Sequence, residues 1–191
     1  MAEDVPFTDL VRRVRGGDSA AATELVRSYE PALRVAVRVR LTDPSLRRVL
    51  DSVDVCQSVL ANFFVRAAAG QFELDRPEQL LGLLATMARN KVTNLALRER
   101  AARRGGGRVR GGLGGADCAD PGPSPSQVVA GDELLRAFRD RLSPEECRLA
   151  DRRAGGLAWA EIAAEVGGNP DALRVRLGRA INRVTCELGL E

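Results

Sequence analysis

Four arginines, Arg174, Arg176, Arg179 and Arg183, fall within one stretch, PDALRVRLGRAINRVTCEL. A guanidinium carries a planar fork of donors that matches a phosphate, or the O6/N7 edge of guanine. Leu173, Leu177, Ala180, Ile181 and Val184 recur there at helical spacing, so the apolar stripe turns inward and the arginines project elsewhere. A bare basic helix face is often nothing more than solvated surface, so the preceding residues carry the decision. In AWAEIAAEV, Trp159, Ile162, Ala163 and Val166 share one face of a short helix. Gly167 and Gly168 stop it, Asn169 can cap the next helix, and Pro170 suits that helix's first position. The pattern is a helix-turn-helix whose second helix enters a major groove and reads DNA.

Two further constellations are polar rather than catalytic. Asp54 and Gln57 lie three apart on the helix predicted over Asp54–Ala68, opposite Val55, Val59, Leu60, Phe63 and Phe64. Asn90, Asn94 and Arg98 recur every four residues beside Lys91, forming a polar stripe on a helix predicted from about Glu78 to Arg104. The basic run continues beyond it, with six Arg against one Glu over residues 98–110. Chemistry of other kinds finds no footing. The chain has no histidine, and its cysteines, Cys56, Cys118, Cys147 and Cys186, show no CxxC spacing, so no metal site is expected. The glycine run at 105–115 is not followed by Lys-Ser or Lys-Thr and is no P-loop. Neither an enzyme nor a cofactor is expected.

The elements that must position these residues are helical throughout. Of 29 basic residues against 26 acidic, Lys91 alone is lysine, and the net charge of +3 is mild. Thr8 is placed to cap a first helix with Leu10, Val11 and Val14; Gly16 and Gly17 break it. Asp18 caps a second, carrying Ala21, Leu25, Tyr29, Leu33, Val37 and Leu41, in which Pro31 costs a hydrogen bond. Glycine, proline and serine dominate GGGRVRGGLGGADCADPGPSPSQ at 105–127, a composition that cannot bury a core and reads as a flexible linker. Four more helices are expected, over Asp132–Asp140, Pro144–Ala154, Ala158–Val166 and Pro170–Leu188, with Ser143 and Glu146 forming a capping box. The expected fold is all-α: a helical domain over 1–104, a linker over 105–131, and a helix-turn-helix domain over 132–191. No apolar run approaches the roughly 18 residues of a membrane span, and a cytoplasmic protein is expected.

On these residues the chain resembles the extracytoplasmic-function (ECF) sigma factors of bacterial RNA polymerase. The C-terminal resemblance rests on Leu142-Ser143-Pro144, Arg148, Glu161-Ile162-Ala163 and Leu173-Arg174-Val175-Arg176-Leu177-Gly178-Arg179-Ala180, with leucine for the usual valine at 173. The N-terminal resemblance rests on Asp54-Val55-Cys56-Gln57-Ser58, where Ser58 stands in for a common acid, and on the helix from Met87 to Arg104, where Asn94 replaces an aspartate. The aromatics common upstream are replaced by Leu83 and Ala85.

The resemblance implies a sigma factor directing polymerase to promoters. Asp54 and Gln57 would dock on core polymerase. Asn90, Lys91, Asn94 and Arg98 would meet the minus-ten element, with the connection Phe72–Pro77 capturing a flipped base. Arg174, Arg176, Arg179 and Arg183 would grip the minus-thirty-five element. Core RNA polymerase and promoter DNA are the implied partners, an anti-sigma factor is admitted as another, and a monomer is expected when the chain is free. The alternative is a helix-turn-helix regulator that never binds core polymerase.

Overall fold

The computed structural model describes residues 7–41, 51–104 and 125–190. Among them run eight helices and no strand: α1 (Phe7–Arg15), α2 (Ser19–Arg40), α3 (Ser52–Ala68), α4 (Pro77–Arg104), α5 (Pro125–Arg139), α6 (Pro144–Ala154), α7 (Trp159–Val166) and α8 (Pro170–Glu187). The all-helical expectation holds.

Local chemistry sets the boundaries. Asp18 Oδ1 accepts from the amides of Ala20 (2.9 Å) and Ala21 (3.1 Å), while Oδ2 takes the Arg13 Nε at 2.8 Å. Those bonds, the Ala21 amide foremost, hold the Asp18 carboxyl below the usual carboxylate range. Ser143 and Glu146 form the expected capping box, with bonds of 3.3 and 2.8 Å. Pro31 sits inside an unbroken α2.

Other boundaries differ from the sequence reading. Thr8 lies within the first turn of α1 rather than at its cap. Helix α3 starts earlier than Asp54 because Asp51 caps it, accepting from the Val53 amide at 2.9 Å. Helix α5 begins at Pro125, inside the stretch 105–131 read as linker. The rest of that stretch, 105–124, lies outside the described residues, as does Cys118.

Two cores form. In the first, α2 packs on α3 and α4, with α1 across α2 and α3. It buries Leu10, Val14, Leu25, Val37, Val59, Phe63, Leu80 and Leu84. Phe72 turns its ring onto Phe63, with centroids 5.9 Å apart and planes 3° apart, so this aromatic packs on the core. The second core gathers Phe138, Leu142, Leu149, Ile162, Leu173, Leu177, Ile181 and Val184 from α5–α8. Val65 and Ala69, at the end of α3, belong to this second core, so one helix serves both. Val166, expected on one face with Trp159, Ile162 and Ala163, is instead 41% exposed, and Leu97 of α4 is 55% exposed.

Candidate nucleic-acid interface

The turn between α7 and α8 needs glycine at both positions. Gly167 and Gly168 hold φ of +80° and +103°, a region that a Cβ disfavours. Asn169 then caps α8, its Oδ1 accepting from the amides of Asp171 (2.8 Å) and Ala172 (3.3 Å). Leu173, Leu177, Ala180, Ile181 and Val184 all bury inward, as their spacing predicts. The cap and the apolar stripe together fix which way the outer residues point.

That outer face carries Arg174, Val175, Arg176, Arg179 and Arg183, all exposed. Several of them line a shallow groove of about 710 Å³ shared with Glu146 and Asp171. The arginines are not equivalent. Arg176 pairs with Glu145. Arg183 reaches Glu146 at 3.1 Å, Glu187 at 3.3 Å and the carbonyl of Arg141. Arg174 lies 3.4 Å from Asp171. Arg179 alone of the four has no side-chain partner among the described residues. Exposed pairs of this kind contribute about 0–1 kcal/mol each, so an incoming phosphate can displace them. Val175, 45% exposed, is an apolar island among these charges.

A second polar face runs along α4. Ala88 and Val92 bury inward, which leaves Asn90, Asn94 and Arg98 exposed on the outer side. Lys91, half-buried, departs from the stripe: its Nζ donates to the carbonyl of Gly189 at 3.3 Å. A third face opens at the start of α3, where Asp54 and Gln57 are exposed while Val55, Cys56, Val59 and Leu60 are buried. Burial lifts the Cys56 thiol to about 11, so it stays protonated and inert at neutral pH.

Sequence reasoning passed over a fourth set of residues. Arg66, near the end of α3, spreads its guanidinium over both halves of the molecule. Its Nε meets Asn62 Oδ1 at 2.6 Å; one terminal nitrogen reaches Gln71 (3.0 Å) and Asn182 (2.8 Å), and the other Thr185 Oγ1 (3.1 Å). Asn62 in turn donates to the carbonyl of Leu190 at 3.2 Å. The available signal was a polar pair at i,i+4 within an otherwise apolar helix end.

Among the described residues no group of side chains is arranged to hold a metal ion, and no helix is long and apolar enough to cross a membrane. Residues 4–185 match the family model described as ECF sigma factor. No curated protein and no solved structure matches.

Proposed function

The chain belongs to the ECF sigma factor family, and on that premise we propose how its exposed faces divide the work of a sigma factor. Members of this family bind core RNA polymerase and promoter DNA to start transcription, and the family is one of transcription regulators rather than an enzyme class.

The observation that carries the reading is the outer face of α8, a capped, glycine-turned recognition helix with its arginines exposed. Arg174, Arg176, Arg179 and Arg183 grip the minus-thirty-five element from the unit over 132–191. Val175 stands where it can meet a thymine methyl, the apolar mark that distinguishes this base in the major groove. The unit over 1–104 carries the other two faces. Asp54 and Gln57 dock on core polymerase, and their exposure supports this role. Asn90, Lys91, Asn94 and Arg98 engage the minus-ten element. The chemistry belongs to the polymerase. This chain supplies binding energy and specificity, acts in the cytoplasm, is monomeric when free, and is open to control by an anti-sigma factor.

Run-off transcription with purified core polymerase on genomic fragments tests this. Discrete starts that need the added chain are expected, together with a stoichiometric complex on gel filtration. DNA binding without that complex would make the chain a plain helix-turn-helix regulator.

A further inference from the structure

A glycine in the interior of a helix weakens it relative to alanine, so its presence needs a reason. Gly178 lies at the middle of the 18-residue α8. Two structural reasons are available, and neither applies. Its φ is not positive, unlike that of Gly167 and Gly168 at the preceding turn. A Cβ placed on it would meet no described atom within 4 Å, so no neighbouring element has to come close. The fold would accept alanine there and gain by it. Gly82 of α4 and Gly131 of α5 are equally open, so openness alone assigns no role. Position separates Gly178 from them.

Successive residues of a helix turn by about 100°. Arg174 and Arg179 therefore point about 140° apart, and Asp171, Val175 and Gly178 all fall within about 30° of the direction midway between them. None of these three is buried. The row they form is low: a short carboxylate, two methyls and no side chain at all. The arginines on either side are long and slightly tied. Arg174 lies 3.4 Å from Asp171, and Arg179 has no side-chain partner among the described residues. The outer face of α8 is thus a trough, floored by main chain at Gly178 and walled by Arg174 and Arg179.

In a major groove, long side chains at the flanks of a helix reach phosphates, and the face between them meets base edges. A side chain on that middle face sets how closely the helix axis approaches. With none at 178, the main chain comes into van der Waals contact with the base pairs, and each neighbouring side chain reaches deeper. Val175 is short, so it meets a thymine methyl only when the helix sits that close.

We propose that Gly178 is the point of closest approach between α8 and the promoter, a specificity-determining position where the missing side chain seats Val175, Arg174 and Arg179 in the groove. The proposal rests on the assignment of α8 to the minus-thirty-five element above.

Gly178→Ala and Gly178→Leu in the full-length chain test this, because both new residues suit a helix interior. Each variant is joined with core polymerase and titrated against the promoter fragment that gives the strongest start in run-off transcription with the parent. Both should form holoenzyme on gel filtration as the parent does. The melting temperature of the free Ala variant should rise by about 2 °C. Its holoenzyme should bind the promoter fragment about tenfold more weakly, and the Leu variant more weakly still. Affinity for an unrelated duplex, which needs only phosphate contacts, should stay within about twofold of the parent. Gly131→Ala serves as the reference, with the parent's promoter affinity expected. An Ala variant at 178 that binds the promoter as tightly as the parent overturns the proposal. So does an equal loss on the unrelated duplex, an equal loss in Gly131→Ala, or a fall in melting temperature, which would assign Gly178 to the fold. If the parent itself forms no holoenzyme, the assignment of function falls instead and takes the proposal with it.

Discussion

The two ends of α3 make opposite use of the same kind of residue. At its start, Asp54 and Gln57 face solvent. At its end, Asn62 and Arg66 are consumed within the chain, bonded to Asn182, Thr185 and the carbonyl of Leu190. The apolar residues divide the same way: Val55, Val59 and Phe63 bury against α1, α2 and α4, and Val65 buries against the helix-turn-helix unit. A polar residue on a helix thus has no fixed meaning. Its role depends on whether its partner is in the same chain, and here that switches within about three turns.

The widest test removes what both ends share. Phe63 is fully buried at the middle of α3 and stacks on Phe72. Phe63→Ala should cost about 3–5 kcal/mol, the usual range for a buried aromatic, and lower the melting temperature of the whole chain. A loss below about 1 kcal/mol by denaturant titration would mean that the site collapses around the cavity and that α3 is not the hub drawn here.

A matched pair then separates the two cores. Val59→Ala and Val65→Ala each delete two buried methyls, about 1.5 kcal/mol at roughly 0.8 kcal/mol per group. Hydrogen exchange should place the first loss in α2 and α4 and the second in α6–α8. Identical footprints would erase the distinction between the ends of the helix.

The smallest stability effect belongs to the exposed end. Asp54→Ala with Gln57→Ala should leave the melting curve within about 0.5 kcal/mol of the parent, as for other surface changes. The same variant should compete for core polymerase about tenfold less well, equivalent to about 1.4 kcal/mol. Normal competition would make the pair solvated surface only.

Much of this arrangement was legible in the sequence because it is local. The Asp18, Ser143 and Asn169 caps, the two-glycine turn and the inward stripe of α8 follow from side chains a few residues apart. Asp51 was passed over because the apolar run that announces α3 starts later, and α5 because its first two turns, PSQVVAG, lack an apolar period. Long-range choices left no local trace. Periodicity puts Val65 and Ala69 on an apolar face without saying which core takes them. Leu97 and Val166 fit their helical patterns yet stay exposed. The candidate arginines were found by spacing, but their inequality was not, because Glu145 and Glu146 approach α8 from a separate helix.

That inequality reaches into solution behaviour. Glu145 and Glu146 sit in the first turn of α6, where a helix favours negative charge, and they hold Arg176 and Arg183. A phosphate arriving at either arginine displaces a carboxylate instead of filling an empty fork. The freed carboxylates draw in cations, returning part of the counterion release that drives association with DNA. Added salt should therefore weaken binding at this face less steeply than its number of arginines implies. Sequence discrimination leans instead on Arg179 and Val175, whose contacts displace no internal partner.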